Sequence, residues 1–191
     1  MRSLLPTLLV LAAVTTLTAC GSGATGLGSS AAGSSPRPSA SASPSPTPPA
    51  AQHAAAFLTV DSARHRVDLR LVAALTPDNG GMNFNGYSKG AMTVTVPAGW
   101  QVRVSFTNRG PLPHSVAVVA GPTATTPAFA GAGAPLQALT AGIPAGQTMD
   151  FTFVAARPGR YRLACLVPGH EAAGMWDRVV VTSGGQPSIN P

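Results

Sequence analysis

The sequence predicts an all-β domain, a sandwich of about seven or eight short strands behind a disordered linker, and three observations carry that prediction. Most of the chain after residue 53 alternates apolar and polar side chains with period two. Turn signals rich in Gly, Pro and Asn separate these runs at short intervals. Charged residues are only 9% of the 191 and no segment carries a long helical pattern, which argues against a helical bundle or coiled coil.

The amino end reads as an address. Met1-Arg2-Ser3 is a short positive start and Leu4–Leu17 is almost wholly apolar, the length of a signal-peptide core and too short to span a bilayer comfortably. It closes on Leu17-Thr18-Ala19-Cys20-Gly21, the pattern of a bacterial lipoprotein signal. Residues 1–19 are therefore expected to be removed and Cys20 to be lipidated, anchoring the protein to a membrane. From Ser29 to Ala51 every residue except Gly33 and Arg37 is Ser, Ala, Pro or Thr. Such a stretch cannot bury enough apolar surface to offset its ordering entropy. Residues 20–52 are thus expected to be a disordered tether, biased by its Ser-Pro and Thr-Pro steps towards extended polyproline II.

Residues 53–191 are a normal size for one domain. Phe57–Val60 is expected to open it as a short strand. Val67, Leu69, Leu71 and Ala73 then face one way while Arg66, Asp68 and Arg70 face the other. Val94 and Val96 alternate with Thr93 and Thr95, and Val102, Val104 and Phe106 with Arg103, Ser105 and Thr107. Further strands are expected at Ser115–Val119, Met149–Val154, Arg160–Leu166 and Arg178–Thr182. Between them lie Asp78-Asn-Gly-Gly81, Pro97-Ala-Gly99, Asn108-Arg-Gly-Pro111 and Arg157-Pro-Gly159, all turn-forming. The segment from Gly121 to Gly146 is long for a connection, and such loops are usually functional or carry a little structure of their own.

Composition also excludes. Two cysteines, one of them Cys20, cannot make a disulfide scaffold. The net charge of +6 comes from eleven Arg and one Lys that form no basic stripe with interleaved aromatics, so no nucleic-acid partner is expected.

The chemistry concentrates near the carboxyl end. Cys165, His170 and Met175 recur at four-residue gaps just after a strand, and Pro168-Gly169 bends the chain so that one loop can present all three. Thiolate, imidazole and thioether together suit copper in a trigonal Cys-His-His site with a long axial Met. A second imidazole is needed. His53 lies in the tether and His65 in a hairpin turn between polar neighbours, both most simply solvated; His114, at the entry to a strand, is the candidate. Taken singly, each of these residues has an ordinary structural reading: a buried Cys as a small core residue, a Met beside a Trp as packing, a His at a strand end as surface. Their joint order is what points to metal, and an unpaired thiol outside the cytoplasm is a liability unless something holds it. Structural zinc takes Met poorly, and calcium or magnesium would want more than the six acidic residues present. A Cys-His protease would leave Met175 without a role.

With these residues in view, the chain resembles the cupredoxins, the type 1 blue copper family, and within them the sulfocyanins. The resemblance covers nearly all of residues 54–182. It rests on Asn83-Phe-Asn-Gly-Tyr-Ser-Lys-Gly-Ala-Met-Thr-Val94, Val96-Pro-Ala-Gly-Trp100, Pro113-His114-Ser115 and Val167-Pro-Gly-His170 with Gly174-Met175-Trp176. It implies a Greek-key β-sandwich with one copper ion near one end, His114, Cys165 and His170 as equatorial ligands and Met175 as the axial one. It implies single-electron transfer and no enzymatic activity. Asn85, Ser115 and Trp176 are expected behind the ligands: Asn85 in a stiffening loop, Ser115 offering a hydroxyl near Cys165, Trp176 keeping water away. The best-known sulfocyanins are archaeal and often carry a membrane-spanning anchor, whereas this chain begins with a lipoprotein signal.

The expected function is that of a membrane-tethered electron carrier on the outer face of a bacterial cytoplasmic membrane, a monomeric domain serving respiratory-chain donors and acceptors. The competing expectation is an extracytoplasmic copper carrier, chaperone or store. Delivery sites tend to be open and rich in Met and His, and Met175 is the only methionine near the motif.

Overall fold

The computed structural model describes residues 55–191. The expected signal peptide, Cys20, the expected tether and His53 lie outside the described residues. Nine strands are described: β1 (Leu58–Asp61), β2 (Arg66–Ala73), β3 (Thr93–Pro97), β4 (Gln101–Asn108), β5 (Ala117–Val119), β6 (Thr148–Val154), β7 (Gly159–Ala164), β8 (Trp176–Thr182) and β9 (Ser188–Asn190). A single-turn helix, α1 (Leu136–Ala141), lies in the long connection between β5 and β6.

The strands form two sheets, one in the order β1-β2-β4-β6 and the other β5-β7-β8-β3-β9. β2 and β4 are parallel neighbours, although β3 falls between them in sequence and sits in the other sheet. β3 pairs in parallel with β8 in the same way. The chain thus crosses repeatedly between layers, and the result is the expected all-β Greek-key sandwich.

The alternation in the sequence sets the register. Across the first sheet Val67 pairs with Val102 and Val102 with Phe153, while Leu71 pairs with Phe106 and Phe106 with Met149. Because side chains repeat every two residues along a strand, these rows all face inward, and Arg66, Asp68, Arg103 and Ser105 face out. Across the second sheet Val94 pairs with Val179 and Val96 with Val181. Side chains from both sheets form one core, in which Leu71, Phe84, Phe106, Leu163 and Met175 are fully buried. Burying each such side chain contributes about 1.5–3 kcal/mol.

One strand is added and three boundaries differ by two residues from the sequence reading. β9 is an extra strand with Ile189 as its only apolar residue, too short for an alternation to show. β5 begins at Ala117, not Ser115, because the Ser115 amide is spent on the Cys165 sulfur and not on a sheet partner. β7 ends at Ala164, not Leu166, because the Cys165 amide turns to the Met175 carbonyl and that of Leu166 to the Ser115 hydroxyl. β8 starts earlier, at Trp176, which pairs with Ala164. The long connection does carry structure: Ala128 and Ala134 donate to the carbonyls of Val118 and Val116, and Phe129, Ala132 and Leu139 are buried. It therefore covers the edge that β5 would otherwise expose.

These strands place the loops of interest together. β5 and β7 are antiparallel neighbours, as are β7 and β8. His114 precedes β5, Cys165 follows β7 directly and Met175 precedes β8 directly, so three adjacent strands deliver them to one end of the sandwich.

Candidate metal centre

His114 is held by its backbone. Its amide donates to Ile143 at 3.3 Å and its carbonyl accepts from Ile143 at 2.8 Å, so the residue is fixed before β5 begins. The loop that delivers it is closed by Asn108, a buried side chain at the end of β4. Asn108 Nδ2 donates to the carbonyls of Leu112 (2.8 Å) and Ile143 (2.9 Å), and its Oδ1 accepts from the Gly110 amide at 2.8 Å. Gly110 has to be glycine: a Cβ there would stand 2.8 Å from Ala74 Cβ and 3.0 Å from His114 Nε2.

The connection from Cys165 to Met175 is a folded loop. His170 donates to the Val167 carbonyl (3.1 Å), Ala173 to Gly169 (2.9 Å) and Met175 to His170 (2.9 Å), and the Cys165 amide closes it on the Met175 carbonyl at 3.1 Å. Gly169 turns the chain with φ +86°, a conformation that side chains disfavour. Asn79 Nδ2 and the Lys89 amide hold its far end by the carbonyls of Ala173 and Gly174, at 2.9 and 2.8 Å.

The two loops converge. The ligand-type atoms of His114, Cys165 and His170 all lie within 4.8 Å of one another. Cys165 Sγ is 3.4 Å from His170 Nδ1, and the two imidazole centroids are 5.0 Å apart. Cys165 and Met175 are completely buried, His114 almost so, and His170 is half-buried at the rim. In the loop that carries His170, Pro168, Gly169, Ala172 and Ala173 are exposed and Leu166 is half-buried, and Pro111 and Leu112 are exposed in the loop before His114.

Burial governs the electrostatics. Desolvation, reinforced by His170, pushes the His114 imidazole down to about 4. Desolvation also lowers His170. It raises the Cys165 thiol, against the opposing pull of the Ser115 and Val167 amides. The three groups are thus kept uncharged in the metal-free protein. A bound cation reverses that logic, since a coordinating thiol is deprotonated outright.

The donor set fits a soft metal. His114 Nδ1 is buried and has no hydrogen-bond partner in the protein, and an orphaned buried polar atom costs about 1–3 kcal/mol unless something occupies it. Imidazole and thiol donors converge on one point with no carboxylate among them, which suits copper and excludes calcium or magnesium. Glu171, the nearest acid in sequence, turns its carboxylate to Arg162 at 2.9 Å.

The residues expected behind the ligands have distinct placements. Ser115 donates its amide to Cys165 Sγ at 3.3 Å, and its hydroxyl lies 3.8 Å from the same sulfur while accepting from the Leu166 amide at 2.9 Å. Trp176 is half-buried, with the Arg162 guanidinium 3.9 Å from its ring centroid. Asn85 is fully buried and bonds the backbone of β2, accepting from Val72 at 2.7 Å and donating to Arg70 at 3.0 Å. His65 sits exposed in the β1–β2 turn and stacks on Trp100, as a residue outside any site.

Sequence reasoning did not single out Asn108 or Asp177. Asn108 stood out only as part of a turn signal. Asp177 is completely buried beside Trp176, accepts from the Met92 amide at 3.0 Å and leaves Oδ2 without a partner.

The sulfocyanin (SoxE) domain matches residues 53–186. Sulfocyanin from Sulfolobus acidocaldarius is 30% identical over 132 residues, which span 64% of this chain and 66% of that protein. Among solved structures, auracyanin B is 24% identical over 65% of this chain and 94% of its own, with a TM-score of 0.45. Rusticyanin from Thiobacillus ferrooxidans is 24% identical over 66% of this chain and 86% of its own, with a TM-score of 0.46.

Proposed function

Since the chain belongs to the sulfocyanin family of cupredoxins, electron-transfer proteins that bind one type 1 copper and not enzymes, we propose that His114, Cys165, His170 and Met175 hold that copper here. The observation that carries the assignment is the convergence of the two imidazoles on the buried Cys165 sulfur, with His114 Nδ1 unpartnered. When bound, the metal supplies a one-electron couple between copper(II) and copper(I).

The protein's own part is to hold the ligands and set their electronics. Cys165 would hold the metal as thiolate, its proton released to solvent. The two imidazoles are already neutral, so neither has to lose a proton before binding. The Ser115 amide, and the hydroxyl behind it, draw electron density from the sulfur and favour the lower-charged state. Met175, fully buried, would offer a weak thioether donor. A loop so tied by hydrogen bonds has little freedom to rearrange between oxidation states. That rigidity and burial support electron transfer over metal delivery, which needs an exchangeable site.

Electrons enter and leave through the half-buried His170 ring, across the apolar rim of Pro111, Leu112, Pro168, Ala172 and Ala173. Cys20 lipidation, the tether of residues 20–52, a location on the outer face of the bacterial cytoplasmic membrane and respiratory partners extend this reading. They rest on the sequence signals at the amino end and on the extracytoplasmic chemistry of a free thiol. Titrating the full-length metal-free protein with copper(II) tests the core of the proposal. A visible thiolate-to-copper band saturating at one equivalent, bleached by reductant and restored by oxidant, supports it; binding without redox cycling overturns it. Retention of the wild-type protein, but not Cys20→Ala, in the membrane fraction tests the anchor.

A further inference from the structure

Two of the four residues assigned to copper, His170 and Met175, are each followed in the chain by a residue that touches one and the same side chain, Arg162. Arg162 lies on β7, paired with Val119 of β5 on one side and Arg178 of β8 on the other, so its backbone is fixed by the sheet. Its Nη1 donates to Glu171 Oε1 at 2.9 Å, and its guanidinium carbon lies 3.9 Å from the centroid of the Trp176 ring. The other Glu171 oxygen accepts from the Thr123 amide at 3.3 Å, tying the same carboxylate to the loop after β5.

We propose that Arg162 is a positioning residue for the metal loop, clamping Glu171 and Trp176 and thereby fixing the two ligands that precede them. The loop has two flanks. Asn79 and Lys89 hold the Ala173–Gly174 flank from the side of the sandwich where residues 79–89 lie. On the His170 flank the side-chain ties run through Glu171, to Arg162 and Thr123. The Arg162–Glu171 pair is three-quarters or more buried at both ends, with side chains 25% and 18% exposed. Partial burial strengthens a charge-assisted bond, and a planar guanidinium can donate to a carboxylate while its face covers an indole. A lysine could do the first but not the second with the same geometry. Ion pairs near a surface contribute little global stability, so the effect belongs to the geometry of the loop and not to the folding of the sandwich.

The inference rests on the copper assignment above, and its test separates the two. Hydrogen exchange on the full-length metal-free protein reads the loop without any metal. Arg162→Met is expected to leave the strand amides protected while the amides of His170 and Met175 exchange about tenfold faster, the factor that losing one charged hydrogen bond implies. In the copper-loaded protein the same variant is expected to lose metal to a chelator about tenfold faster, as disturbed outer partners of metal ligands do. Arg162→Lys should recover part of both effects. Glu171→Gln breaks the pair from the loop side and should reproduce the faster exchange; it decides the matter if Arg162→Met does not fold. Wild-type exchange at His170 in both Arg162→Met and Glu171→Gln would overturn the clamp. A wild-type protein that binds no copper would overturn the ligand assignment, and the exchange result would still decide the clamp.

Discussion

The amide of Ser115 donates to the sulfur of Cys165 across 3.3 Å, joining two residues fifty positions apart in the chain. The contact exists because β5 and β7 are antiparallel neighbours whose ends lie at the same end of the sandwich. The hydroxyl of the same residue accepts from the Leu166 amide, so one serine fixes both the sulfur and the chain just after it.

Ser115→Ala keeps the amide but removes the hydroxyl. The Leu166 amide then loses its acceptor, at a cost of about 1–3 kcal/mol in unfolding free energy. With one donor fewer near the sulfur, copper(II) is favoured and the reduction potential falls. Voltammetry of the copper-loaded variant beside the wild type checks this; an unchanged midpoint would leave the hydroxyl a purely structural acceptor.

Met175 gives a prediction of opposite signs. Gln at this position offers an amide oxygen, which stabilises copper(II) better than a thioether and lowers the potential. Leu offers no donor and raises it. Should both variants keep the wild-type midpoint, Met175 is packing and not a ligand.

Asn108→Ala strips acceptors and donors from the loop that carries His114. The Gly110 amide and the Leu112 carbonyl lose their side-chain partner, and the Ile143 carbonyl keeps only the His114 amide. Each buried group left unpaired costs about 1–3 kcal/mol, so a clear drop in thermal midpoint is expected, together with a copper spectrum altered through His114. An unchanged spectrum in a folded variant would show that the loop is held without Asn108.

Two buried groups set opposing pH dependences in the metal-free protein. Burial raises the Asp177 carboxyl to about 7, so its proton is bound more tightly in the folded state. Its contribution is present below the unfolded value of 3.8 and is lost as pH rises through about 7. His114, lowered to about 4, rejects its proton on folding, so stability falls as pH drops from 6.5 towards about 4. Asp177→Asn removes only the first effect and keeps an acceptor for Met92. Its gain in unfolding free energy over the wild type should therefore be larger at about pH 8 than at about pH 5. Equal differences at the two pH values would contradict the burial argument.

Much of the fold was legible because alternation is a local signal. Val67 to Ala73 and Val102 to Phe106 declare their inward faces without reference to any partner, and both are buried as read. The metal-binding cluster was legible for a similar reason, since Cys165, His170 and Met175 fall within one short stretch whose residue types are chemically unusual together. What escaped was non-local. Ile189 acts as a strand residue only because β3 offers it an edge. Asn108 is a turn former in sequence, and its hold on Leu112 and Ile143 arises only when the β5–β6 connection folds back. Asp177 falls just before the strand as read from the sequence, yet β8 takes it in and its parity places it inward, opposite Leu163. The bond from the Ser115 amide to Cys165 belongs to the backbone and leaves no trace in residue type.

The central claim is that Cys165 is the thiolate ligand of a copper held by two converging imidazoles. The absorption spectrum of copper(II)-loaded wild type and Cys165→Ser, each at full length, tests it most directly. The account predicts an intense visible thiolate-to-copper band in the wild type and its complete loss in Cys165→Ser, with the β-sheet circular dichroism of the two alike. A Cys165→Ser protein that kept the band, or a wild type that took up copper without developing one, would contradict it.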